Sequence, residues 1–96
     1  MPIQTSIILC TYNEVNHLED TIKNLEKNIT NLEIVIVDDF STDGTVELIK
    51  KLNHNNKFKT VFRKKSRNLA SAFVRGLTET TGKYIGWIDT NMGELT

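Results

Sequence analysis

Four polar clusters in this 96-residue sequence could do chemistry. They are Thr11-Tyr12-Asn13-Glu14, Asp38-Asp39-Phe40-Ser41, Arg63-Lys64-Lys65-Ser66-Arg67 and Asp89-Thr90-Asn91. Carboxylates and amide oxygens can hold a hard cation, or accept hydrogen bonds from a base or a ribose. Arginine and lysine suit phosphate. A metal-bound nucleotide diphosphate would use both kinds of group. Taken singly, an Asp or Asn of this sort is an ordinary helix cap or turn former, and a Lys/Arg run is an ordinary solvated face. Asp38-Asp39 is less easily explained that way, because adjacent carboxylates behind an apolar run repel each other. The combination across several clusters is what points to a ligand.

Each cluster needs an element to position it. Ser6 to Cys10 and Ile34 to Val37 are continuous apolar runs, as buried strands require. Between them Val15, Leu18, Ile22, Leu25 and Ile29 recur at helical spacing, with Asn13 as the expected N-cap. His17 falls in the first turn of that helix. Val46, Ile49 and Leu52 mark a short second helix after the turn-forming Ser41-Thr42-Asp43-Gly44. Phe58, Thr60 and Phe62 alternate with Lys59, Val61 and Arg63, which reads as a half-exposed edge strand. Leu69, Ala72, Phe73, Gly76 and Leu77 form a third helical face, with Gly82 as its expected left-handed stop. Tyr84 to Ile88 is a fourth strand, with Trp87 expected in the core. The order is βαβαβαβ, so the strands should be parallel with right-handed crossovers. In such a sheet, ligands bind beyond the carboxyl ends of the strands. All four clusters fall there.

Composition excludes several other classes. Twelve basic residues balance twelve acidic ones, so no global positive field favours nucleic acid. Apolar content of 39% with zero net charge argues against disorder. The single Cys10 cannot form an internal disulfide and reads as an inert core thiol. No apolar run approaches the roughly 20 residues that span a bilayer, and the first ten residues lack a charged n-region. The expected setting is cytoplasmic, extending to the cytosolic membrane surface. Asn28-Ile29-Thr30 fits a glycosylation sequon that has no secretion signal to go with it.

The pattern resembles the N-terminal half of family 2 glycosyltransferases, which have the A-type nucleotide-sugar fold. Within them it is most similar to dolichol- or polyprenyl-phosphate sugar transferases. The resemblance rests on Thr11-Tyr12-Asn13-Glu14, on Val37 through Thr45 (VDDFSTDGT), on Arg63, Leu69, Ala72 and Gly76-Leu77, and on Gly82-Lys83-Tyr84-Ile85 leading to Asp89-Thr90-Asn91. It implies a Rossmann-like three-layer α/β/α fold with strand order 3-2-1-4. It also implies that residues 1–96 are the donor-binding half of a larger domain whose acceptor half is absent. By the same resemblance, Thr11, Tyr12 and Glu14 would line the nucleotide pocket, Asp39 would accept from the base, and Arg63 would sit near the nucleotide. Asp89 would contact the ribose or the metal, and Asn91 would join Asp89 around Mg²⁺ or Mn²⁺. The catalytic base would lie outside this chain.

Two departures from the family pattern stand out. Asn91 replaces a second Asp, which lowers the charge available to a cation. Asn68 and Ala70 replace two glycines, which alters close backbone approach to a ligand. The resulting expectation is a glycosyltransferase region that binds a UDP- or GDP-sugar, serves an acceptor such as a polyprenyl phosphate, and is inactive alone. The alternative is a non-catalytic nucleotide-binding or interaction module with a degenerate metal site. A third reading, in which the basic 63–67 run meets anionic lipid or nucleic acid, has only four cations behind it. With the sheet ending at the fourth strand, self-association through that edge is expected.

Overall fold

The computed structural model describes residues 3–55, 57–64 and 69–89, and only the backbone of Leu69 and Asp89. The elements are β1 (Thr5–Thr11), α1 (Leu18–Asn28), β2 (Leu32–Asp39), α2 (Thr45–Leu52), β3 (Lys59–Arg63), α3 (Leu69–Leu77) and β4 (Tyr84–Asp89). The strands form one parallel sheet in the order β3-β2-β1-β4. The chain therefore starts at the centre, steps outward twice, then crosses back to the other side of β1. The direction of progress across the sheet reverses between β1 and β4, which makes their carboxyl ends the topological switch point.

Period-two alternation sorts the strand residues between two helical layers. Ile7, Leu9, Ile34 and Ile36 meet Leu18, Ile22 and Leu25 of α1 and Ile49 of α2. Ile8, Cys10, Val35 and Val37 meet Ala72 of α3 on the opposite face. The central strands are buried on both faces, which is why they read as unbroken apolar runs rather than alternating ones. The three-layer α/β/α architecture and the strand order are those expected.

Three local expectations need correction. Asn13 does not cap α1. The helix begins at Leu18, with His17 at the N-cap and no side-chain capping hydrogen bond, after a turn closed by Leu18 N–H donating to the Glu14 carbonyl (3.0 Å). Asn13 instead takes a left-handed backbone (φ 53°) and bridges to another loop. Gly82 does not end α3, which stops at Leu77. Its requirement is close approach: a Cβ there would lie 2.7 Å from the Ser6 amide nitrogen and 2.7 Å from Ser6 Oγ. Trp87 is not core, being 44% exposed. Among the described residues β4 is an outer strand of the sheet, and Trp87 faces α3 from it. Phe73 packs against its ring (centroids 5.4 Å apart) and its indole N–H donates to Cys10 Sγ (3.2 Å).

Candidate nucleotide-binding site

Thr11 and Asp38 lie side by side at the ends of the two central strands. Asp38 is fully buried. Its carboxylate accepts from Thr11 Oγ1 (2.6 Å), Ser41 Oγ (2.6 Å) and the Ser41 amide (3.0 Å). Those bonds fold the chain back after β2 and hold Phe40 in a left-handed conformation (φ 61°) with its side chain half exposed. A bulky residue adopts that conformation only where its surroundings impose it.

The remaining motif residues stitch the β1–α1 loop to the β2–α2 loop. The Asn13 amide donates to Ser41 Oγ (2.8 Å), and the Thr42 amide donates to Asn13 Oδ1 (2.7 Å). The Glu14 amide donates to Thr45 Oγ1 (3.0 Å), and the Val15 amide to Asp43 Oδ2 (3.3 Å). Thr45 donates to Asp43 through both its hydroxyl and its amide. Burial pushes the Asp43 carboxyl up, but these donors outweigh it and hold Asp43 below the usual carboxylate range. Gly44, in the left-handed region at φ 100°, lets α2 start straight from this turn. The polar side chains of Asn13, Asp38, Ser41, Asp43 and Thr45 therefore build the rim itself.

Asp39 points the other way. A strand sends successive side chains to opposite faces, so Asp39 emerges on the α3 side, away from Asp38. This resolves the repulsion that adjacent carboxylates suggested. Arg63, directly across from Asp39 on β3, grips it with both arms of its guanidinium: Nε to Oδ1 at 2.5 Å and an Nη to Oδ2 at 2.8 Å. The other Nη donates to Ser71 Oγ on α3 (2.9 Å). The pair is largely buried, with side-chain exposures of 14% and 9%. Hydrogen bonding to Asp39 raises the Arg63 pKa, and burial opposes it less strongly.

The other anticipated residues fall as follows. Thr11 is buried, with its hydroxyl committed to Asp38. Tyr12 is partly exposed on the rim, and Glu14 is buried with its amide committed to Thr45. Asp89 closes β4 beside Cys10 of β1. Asn91 lies outside the described residues, as do Lys65, Ser66 and Arg67. Sequence reasoning missed Ser71 and the separate task of Asp38. Strand period two could have separated Asp38 from Asp39, whereas no signal along the chain pairs residue 71 with residue 63.

A model of glycosyl transferase family 2 matches residues 6–90. The chain belongs to that family. It is 34% identical over 92 residues to a dolichol-phosphate mannosyltransferase of Pyrococcus furiosus, covering 94% of this chain and 26% of that protein. Among solved structures it resembles the mannosyltransferase PcManGT of Pyrobaculum calidifontis, in complex with GDP-Man and Mn²⁺ (TM-score 0.79, 27% identity, 95% of this chain and 28% of that one). It also resembles S. aureus TarS 1-349 in complex with UDP-GlcNAc (TM-score 0.79, 25% identity, 92% of this chain and 26% of that one). The chain thus spans about a quarter of the length of the relatives it matches. In an open parallel sheet of this kind, the carboxyl ends of the strands are where ligands bind as a rule.

The fit to a divalent cation can be tested on the carboxylates of that rim. Asp38, Asp39 and Asp43 are all occupied by protein donors. Among the described residues no three His, Cys, Asp or Glu side chains gather as a metal cage. The described part of the rim does not by itself form a metal site. Among the described residues no helix is long and apolar enough to cross a membrane.

Proposed function

We propose that this chain is the donor-binding part of a glycosyltransferase that takes a sugar from a UDP- or GDP-sugar. The observation that carries the reading is Asp39. It is a buried carboxylate at the end of a central strand, held by Arg63, on a rim that the family's own motif residues build. Asp39 would accept from the base, with Thr11, Tyr12 and Glu14 around it and Arg63 behind it. Asp89 would reach the ribose. Asp89 and Asn91 would hold Mg²⁺ or Mn²⁺, which when bound offsets negative charge on the leaving diphosphate. The likeness to a dolichol-phosphate mannosyltransferase supports a polyprenyl phosphate as acceptor and work at a cytosolic membrane surface. The acceptor site and catalytic base belong to parts of the fold outside these residues, so the 96 residues alone bind without turning over.

Calorimetry of UDP- and GDP-sugars, with and without Mn²⁺, tests this directly. Micromolar to millimolar binding is expected, and no binding of any nucleotide at millimolar levels would sink it. Asn91 favours a second reading, a non-catalytic nucleotide-binding module with a weakened cation site. Asn91→Asp tests the cation site itself: metal-dependent nucleotide affinity rises if residue 91 stands in the metal shell, and an unchanged affinity refutes that placing. We also propose self-association through β4, an outer strand that exposes Tyr84 (58%), Ile85 (46%) and Trp87 (44%). Light scattering that finds only monomer at high concentration would refute it.

A further inference from the structure

The charges of this chain balance overall but not along it. Between Glu47 and Glu79 the sequence has no Asp or Glu, while Lys50, Lys51, Lys57, Lys59, Arg63 and Lys64 all fall there. The structure divides those cations into two groups. Lys57, Lys59 and Arg63 meet acids brought in from other elements: Glu26 of α1 (3.4 Å), Glu33 of β2 (2.9 Å) and Asp39 of β2 (2.5 Å). Lys50 and Lys51 on α2, and Lys64 just beyond β3, are exposed, and among the described residues no acid pairs with them. Phe62, 41% exposed on the outer strand β3, stands beside Lys50, whose Nζ lies 5.7 Å from the centre of its ring. Lysines on an edge strand commonly serve to block pairing with another sheet. That accounts for Lys59, which lies within β3, but not for two lysines on a helix and one past the end of the strand.

We propose that the α2–β3 surface around Lys50, Lys51, Phe62 and Lys64 docks this chain on an anionic lipid bilayer. The inference rests on the reading above that the chain works at a membrane surface, and it names the face that does so. The chemistry is that of a weak peripheral contact. Unpaired lysines gain from the negative potential of an anionic leaflet, and a half-exposed aromatic ring suits the headgroup layer. A bilayer meets one face of a protein at a time, and its field decays within a Debye length, so acids elsewhere on the chain do not cancel the attraction. Nucleic acid is the competing polyanion. It would use an aromatic ring for base stacking, yet Lys50 occupies a face of the Phe62 ring. The chain as a whole also has no net positive charge to draw in a long polyanion. Lys64 follows β3 at the carboxyl end of the sheet, so a chain lying on this surface brings the carboxyl-end rim near the lipid headgroups.

The test is flotation of the full 96-residue chain with vesicles of phosphatidylcholine alone, and with vesicles in which about one-third is phosphatidylserine. Wild type should partition about tenfold or more in favour of the phosphatidylserine vesicles, and less as salt is raised. Lys50→Glu with Lys51→Glu should lower that partitioning about twentyfold or more, at about fivefold per cation lost, and Lys64→Glu about fivefold. Phe62→Ser should lower it a few-fold. Lys23→Glu with Lys83→Glu changes net charge by the same amount on exposed lysines of α1 and the start of β4, and should leave partitioning near wild type. All the substituted positions are exposed, so thermal melting near wild type is expected throughout. The proposal is overturned if wild type does not bind phosphatidylserine vesicles. It is also overturned if the Lys50/Lys51 double variant or Phe62→Ser partitions as wild type, or if the Lys23/Lys83 control loses as much as the Lys50/Lys51 variant. Binding to polyuridylate in preference to vesicles at the same salt overturns it in favour of nucleic acid. Nucleotide binding in calorimetry without vesicle binding refutes this inference alone. Vesicle binding without nucleotide binding refutes the donor-binding reading and leaves this surface standing.

Discussion

Each end of the sheet carries a carboxylate paired with a cation from β3, and the two pairs are built differently. At the amino end, Glu33 accepts from Ser6 Oγ (2.8 Å), the Thr81 amide (2.9 Å) and Lys59 Nζ (2.9 Å). Ser6 Oγ in turn accepts from the Gly82 amide (2.8 Å). Donors from β1, β3 and the α3–β4 loop converge on Glu33, so it works as a fastener between segments distant in the chain. At the carboxyl end, Asp39 is held at both oxygens by one guanidinium. A carboxylate bound from many directions is saturated and serves the fold. One held by a single guanidinium owes its orientation to that one partner. The cations differ too: Lys59 is 42% exposed, whereas Arg63 is 14% exposed. Solvent screens the first pair and scarcely touches the second.

The contrast can be broken most severely at Arg63. Arg63→Met strands a buried carboxylate, and a loss of about 3–5 kcal/mol in urea unfolding is expected. If the loss is no larger than that of Lys59→Met, the distinction between a buried and a screened pair is wrong. Asp38→Ala comes next. It removes the acceptor for Thr11 and Ser41 in a fully buried place, at about 2–3 kcal/mol by the same measurement. It should also release the turn that holds Phe40.

Glu33→Gln is expected to cost about 1 kcal/mol near neutral pH. It also has a pH signature. Burial pushes the Glu33 carboxyl up, but the Lys59, Ser6 and Thr81 hydrogen bonds prevail and hold it below the ordinary value of 4.5. Its folded pKa is thus below its unfolded one. The stability it confers is full above pH 4.5 and is lost as pH falls through the lowered folded value. Unfolding followed from pH 6 downward should therefore be flatter in Glu33→Gln than in wild type, and identical slopes would refute the fastener. The smallest effect is at Phe40. Phe40→Gly removes the left-handed penalty but loosens the unfolded chain, for a net gain of about 0.5 kcal/mol in melting.

Much of the fold was legible along the chain. Apolar runs and helical stripes mark all seven elements, and their alternation demands a parallel sheet with crossovers. The family resemblance supplied the strand order. Thr11 and Asp38-Asp39 stand at the carboxyl ends of β1 and β2 as expected, because position relative to a strand end is a local property. The errors share a cause. Asn13 was read as a cap because it precedes a helical stripe, yet its amide oxygen serves Thr42, twenty-nine residues on. Gly82 was read as a helix stop because it follows one, yet it is required where the chain passes Ser6. Trp87 was read as core from its strand, although burial depends on whether a neighbour lies beyond that strand.

By itself, then, the sequence determined the kinds of element, their order and which polar residues follow the strands. Those follow from periodicity and from residue types adjacent in the chain. The tertiary structure decided which partner each polar residue meets and on which face of the sheet. Both depend on register. Asp38 falls beside Thr11 and Asp39 beside Arg63, and the two leave opposite faces. Only the assembled sheet brings together partners that lie 24 to 27 residues apart.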